Sequence, residues 1–207
     1  MFHISYTSFQ LLARTPPCIR GGNGVHYATM LNKWPVAGVI AAIVLFIWGS
    51  VTHMALNIEN YVQPVPNEAA VTAALQANIK EKGMYFFPNE IDPAKLEALT
   101  EKSPWGLLIY APPGNKFVFM KSLAIQFGTD LIWSLLAAFL FSLAAPSLQG
   151  MGKRVLFTTL LGLTATAAVI MPYWNWYGFP AAAIFSSAIE LGVGGALAGF
   201  VFAKLIK

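Results

Sequence analysis

Four stretches of this chain are almost wholly apolar, and everything else is arranged between them. They run over about positions 34–56, 118–145, 155–171 and 180–203. At ~1.5 Å per residue such runs match a hydrocarbon core of ~30 Å, with the third the shortest. Across 35–56, 123–145, 155–171 and 180–203 the only charged residues are Asp130 and Glu190. The pattern therefore predicts a membrane all-α fold of four transmembrane helices. A small α+β extracytoplasmic cap over 57–117 separates helix 1 (34–56) from helices 2–4, which lie within 118–205. A cleaved signal peptide fits the first run poorly, because it is too long for such a segment and no small-x-small site follows it.

Within the runs the finer periodicity sorts faces. Ser122, Gln126, Thr129, Asp130 and Trp133 make a polar stripe on helix 2 that should point into the bundle. Thr158, Gly162 and Thr166 recur at every fourth position of helix 3, which should stop at Pro172. Helix 4 carries Ala188, Gly192, Gly195 and Gly199 on one narrow face, a surface suited to close helix contact in lipid. Glu190 lies roughly 200° from Ala188 and so faces the other way. In the cap, Asn67 should cap a helix from Glu68 to Ile79, and Asp92-Pro93 should start another through Glu101. Short strands are expected at 83–87 and 105–111.

Composition sharpens this picture. Of the 207 residues, 57% are hydrophobic and 11% charged, against roughly 25% charged in an average soluble domain. The net charge of +4 does not mark a nucleic-acid binder, since the basic residues form no stripe. Instead Arg14, Arg20, Lys33, Lys153, Arg154, Lys204 and Lys207 fall on one side of a four-helix topology. This places the chain in the bacterial inner (cytoplasmic) membrane, multi-pass, with both termini cytoplasmic. The single cysteine, Cys18, excludes an internal disulfide framework. Residues 1–33 have neither helical nor strand periodicity and read as a disordered extension, or as sequence upstream of a true start at Met30.

Leu45 to Met54, Pro66-Asn67-Glu68 with Gly83 to Pro88, and Trp174-Asn175-Trp176-Tyr177-Gly178-Phe179-Pro180 followed by an acid resemble a family of uncharacterised bacterial integral membrane proteins. The resemblance covers about residues 34–203 and leaves 1–29 uncovered. Many members have Asp where Glu190 stands. It implies a four-helix membrane fold and lends no activity.

The candidate chemistry rests on Asp130, Glu190 and His53. With helices 2 and 4 entering near Leu123 and Pro180, the acids lie roughly 10 and 15 Å deep at ~1.5 Å per residue. No Lys or Arg shares that depth, and a charge there costs at least ~2.5 kcal/mol, so each acid needs a partner or a proton. Three readings stand: acids hydrogen-bonded to Gln126, Thr129, Thr166 or Ser186 that fix helix register; a proton or small-cation site with His53 as relay; and a paired-carboxylate intramembrane hydrolase. The aromatics Tyr173, Trp174, Trp176 and Tyr177 form a connector between helices 3 and 4. They serve as an interface anchor, or with Tyr85, Phe86, Phe87 and Trp105 as a lid over a lipid headgroup or quinone-like ring.

No phosphate-cradling loop, nucleophile elbow or His pair at metal spacing is present; His3, His26 and His53 are far apart. The expectation is a non-enzymatic membrane protein without cofactor or metal, acting as an accessory or structural component. Its partners are the lipid bilayer and a second copy or another membrane protein, docked on either the glycine face or the Glu190 face of helix 4. The alternative is a proton- or cation-coupled small carrier using Asp130 and Glu190.

Overall fold

A computed structural model describes residues 33–206. His3, Arg14, Cys18, Arg20 and His26 of the N-terminal extension, and Lys207, lie outside the described residues.

Helix α1 spans Trp34–Ser50, and Pro35 fits its first turn, where an N–H would have no intrahelical partner. The chain then widens into a π-helical turn, Val51–Ala55. The cap follows: α2 (Glu68–Asn78), β1 (Gly83–Phe87), α3 (Pro93–Thr100) and β2 (Gly106–Tyr110). The strands pair antiparallel, with Gly83 opposite Tyr110 and Phe87 opposite Gly106. Asp92 caps α3 as expected, its side chain accepting from the Ala94 and Lys95 amides. Asn67 does not cap α2 with its side chain; it sits in the left-handed region at φ 49°, and its carbonyl receives the Ala70 and Val71 amides. No residue of these four elements is buried.

Helix α4 (Phe119–Ala144) ends in a 3-10 turn, Ala145–Ser147, and α5 spans Gly150–Ala165. The third apolar run does not stop at Pro172. It passes through a π turn, Thr166–Ile170, into α6 (Met171–Tyr177). A proline ring clashes with the carbonyl four residues back, here Ala168, and the π turn loosens the ladder at that place. The aromatic connector is therefore mostly helical, and only Gly178, Phe179 and Pro180 make the corner into α7 (Ala181–Leu205). Counted as continuous helices, Trp34–Ala55, Phe119–Ser147, Gly150–Tyr177 and Ala181–Leu205 are each long and apolar enough to span a membrane.

Across the bundle the helices stand in the order α4, α1, α7, α5. The interior is built from small residues: Ala37, Ala41, Ala138 and Ala198 are fully buried, while Ile47, Ile132, Leu136 and Phe185 are more than half exposed. A water-soluble bundle inverts this arrangement, whereas in lipid small residues let backbones approach and large ones face outward. The α5–α7 seam shows the approach directly. A Cβ on Gly162 would strike the Leu191 carbonyl, and one on Gly195 the Thr158 carbonyl. Thr158 and Thr166, from the same stripe as Gly162, are buried, and Thr166 Oγ1 pairs with Ser187 Oγ at 3.0 Å.

At the end of the bundle remote from the cap, Phe141 and Phe202 pack with centroids 5.5 Å apart, and both are fully buried, as is Ile206. Arg154 closes this end by donating from Nε to the Leu148 carbonyl and from Nη1 to the Ile206 carbonyl.

Candidate functional site

The π turn is the local feature on which the site depends. It adds a residue to one turn of α1, and Thr52 Oγ1 stabilises it by donating to the Gly49 carbonyl at 2.9 Å. His53 thereby sits between two carboxylates. Its Nε2 lies 3.1 Å from Glu190 Oε1 on α7, and its Nδ1 lies 3.2 Å from Glu59 Oε2 in the loop after the helix. That loop is held by the Ser186 hydroxyl of α7, which donates to the Ile58 carbonyl. Asn57, in the left-handed region at φ 46°, turns the chain so that Glu59 comes back over the ring.

Two nitrogen–oxygen contacts require two protons between them. Either the ring is an imidazolium between two carboxylates, or it is neutral and one glutamate is protonated. A proton can pass along the Glu59–His53–Glu190 unit from one arrangement to the other without changing its total charge. Tyr61, a little further along the loop, feels this charge: burial, followed by the fields of Glu59 and Glu190, holds its hydroxyl above the ordinary tyrosine range.

Glu190 also lines a cleft with α1 as its floor and α4 and α7 as its walls. The upper part, about 430 Å³, includes His53, Gln126, Asp130 and Glu190. The lower part, about 240 Å³, shares Gly49, Gln126, Asp130 and Glu190 with it and adds Trp48, Trp133 and Gly194. The polar stripe of helix 2 thus faces this cleft, and Gln126 and Thr129 stay exposed in the isolated chain. Asp130 accepts from Gln126 Nε2 at 3.0 Å, while Thr129 donates to the carbonyl of Gln126 on its own helix. Neither acid bonds to Thr166 or Ser186, whose partners are Ser187 and Ile58.

The structure therefore brings His53, Asp130 and Glu190 to one cavity. The glycine face lies elsewhere. Gly192, Gly195 and Gly199 press on Leu163, Thr158 and Val155 of α5, while Ala188 is half-buried. On the opposite face Gly194 lies against Leu45 and Trp48 of α1, and Trp48 Nε1 donates to the Glu190 carbonyl at 3.0 Å. The glycine face of helix 4 is thus packed on α5, while the Glu190 face meets α1 and lines the cleft. Tyr173, Trp174, Trp176 and Tyr177 remain partly exposed beneath the cap, where Phe86 packs edge-on against Tyr177 at 6.3 Å and Trp105 covers Gly178.

Sequence reasoning missed Glu59, which reaches His53 only through the loop's turn, and Gly49 as cleft floor. Among the described residues no group of three or more His, Cys, Asp and Glu is placed to hold a metal ion. Comparison with protein-family models, curated proteins and solved structures finds no match to this chain.

Proposed function

We propose that the chain is a multi-pass protein of the bacterial inner (cytoplasmic) membrane, with both termini cytoplasmic and the cap outside. In this reading it serves as a non-enzymatic accessory component with a proton-exchanging site in the outer half of its bundle. The orientation is supported by Lys33, Lys153, Arg154 and Lys204, which lie at the helix ends remote from the cap. One observation carries the site: His53 shared between Glu59, outside the apolar run, and Glu190, within it. An intramembrane ionisable group next to a histidine and in reach of the surface is suited to taking up and releasing protons there.

A carrier needs, in addition, a route from the site to the cytoplasm. Below the cleft the interior is closed by Ala138, Phe141, Ala198 and Phe202, and no titratable side chain is buried among the described residues. The one-sided reading is therefore preferred to the carrier.

Infrared difference spectra on the protein in lipid nanodiscs, taken across a pH jump, test the proposal. Coupled carboxyl and imidazole bands are expected, and His53→Gln and Glu190→Gln should each abolish them; bands unchanged in His53→Gln would overturn the relay. Vesicles loaded with a pH dye should leak protons no faster with the protein than without it. Flux that Glu190→Gln abolishes would establish the carrier instead.

A further inference from the structure

We propose that the cleft between α1, α4 and α7 binds an amphiphile with an amine headgroup, entering sideways from the surrounding lipid. This rests on the preceding reading, because a carboxyl that exchanges its proton can pair with an ammonium in its place.

The cleft offers such a molecule two kinds of wall. Asp130 on α4 and Glu190 on α7 both line it, with Gln126 bonded to Asp130, and no Lys or Arg of the described residues lines it. Asp130 is bonded only to the Gln126 amide and Glu190 shares the single His53 ring with Glu59, so the two carboxyls facing the cleft outnumber their basic partners and are complementary to one added cation. The remaining lining is hydrocarbon and aromatic: Leu45, Phe46, Trp48 and Trp133 near the floor, Phe117 and Phe119 at the rim. Aromatic faces attract an ammonium, and the apolar rim suits the alkyl chain that follows it. Among the described residues no three His, Cys, Asp or Glu side chains are placed to share a metal ion, so the cation that fits is a single ammonium.

Two further features point to a ligand that arrives from the side. Helices α4 and α7 barely touch, so the cleft has no wall facing away from α1. At the floor, a Cβ added to Gly49 would meet nothing within 4 Å, so the space above this glycine is left unfilled by the chain itself. Gly49 is also a means of testing the site. A side chain there would start from an unobstructed Cβ and extend into the cleft that Gly49 lines. Gly128, on α4, has equally open surroundings but lines neither part of the cleft, and it serves as the control.

The experiment uses the full chain in nanodiscs of a zwitterionic lipid and 6-bromododecylamine, whose mid-chain bromine stays close enough to the headgroup to quench indoles beside the acids. The signal is the quenching lost when Trp48 and Trp133 are both replaced by Phe. The amine should half-saturate this signal at about tenfold lower mole fraction than 6-bromododecanol, the discrimination expected of one charge-assisted hydrogen bond. Bromoethylamine, with the same charge and no chain, should quench weakly. Gly49→Leu should raise the half-saturation point about tenfold, a shift of the same order, and Gly128→Leu should leave it unchanged. Asp130→Asn with Glu190→Gln should remove the preference for amine over alcohol.

Equal quenching by amine and alcohol would overturn the headgroup assignment. Bromoethylamine as effective as the long amine would overturn the lateral, amphiphilic one. A Gly49→Leu protein with unaltered helicity and unaltered quenching would overturn the location. Equal quenching with the coupled infrared bands intact would sink this inference alone, whereas loss of those bands from the unmodified protein would sink the proton reading beneath it.

Discussion

His53 is exposed enough, at 41% of its side-chain surface, that its two ion-pair contacts add little stability; exposed pairs contribute ~0–1 kcal/mol. Their importance is positional. The residue that reports on them is Tyr61, whose hydroxyl is raised first by burial and then by Glu59 and Glu190. The folded chain keeps this proton after the unfolded chain has lost it. The associated stability is complete below the unfolded value and disappears as pH rises through the folded one. Alkaline ultraviolet titration should show a tyrosine component above the ordinary range, absent in Tyr61→Phe and moved back toward that range in Glu190→Gln. Trp48→Phe removes the indole donor to the Glu190 carbonyl, and thermal unfolding in detergent should show a loss of about 0.5–1.5 kcal/mol, the usual net worth of one hydrogen bond.

The helices obey their sequence pattern closely where spacing alone decides. Small residues at every third or fourth position marked a packing face on each of α5 and α7, and the structure joins these faces, because only a bare Cα allows a backbone carbonyl so close. Gly162→Ala and Gly195→Ala each drive a methyl into backbone that cannot yield, so each should destabilise by about 1–3 kcal/mol in denaturant or thermal unfolding. Gly128→Ala meets open space and should be neutral or stabilising by up to about 1 kcal/mol through helix propensity. The two π turns were not legible, since Val51–Ala55 and Thr166–Ile170 look like ordinary apolar helix in one dimension. The error at Pro172 follows from the second. A proline stops a regular helix, but not one whose hydrogen-bond ladder has already opened. The site was half legible for the same reason: Asp130 and Glu190 stand out as lone acids in apolar runs, while Glu59 is one of seven acids in the 57–117 segment and gains its meaning from a loop turn.

For the molecule as a whole, the cap matters less as a folded unit than as a weight resting on the aromatic corner. It buries no residue of its own elements and meets the bundle through Trp105 over Gly178 and Phe86 beside Tyr177. Trp105→Ala should therefore free it: limited proteolysis should cut within residues 83–110 several-fold faster while helicity in the four long helices is unchanged. That Lys33, Lys153, Arg154 and Lys204 share one end of the bundle was readable from sequence because the apolar runs hold no basic residue in their interiors, and the order of helices was not, because any of several neighbours could have offered small residues to α1.

That order, α4, α1, α7, α5, also bears on how the chain is made. The first two long helices are partners and so are the last two, so each pair can close as a hairpin as soon as its second member emerges. The contacts between the pairs, chiefly α1 on α7 and Phe141 on Phe202, must wait for the whole chain. The protein is then two half-molecules joined by the short turn between α4 and α5 and clasped by Arg154. Fragments 1–149 and 150–207, expressed together in the same cells, should assemble and co-purify without a covalent link, and Arg154→Ala should weaken that association more than any substitution in the severed turn.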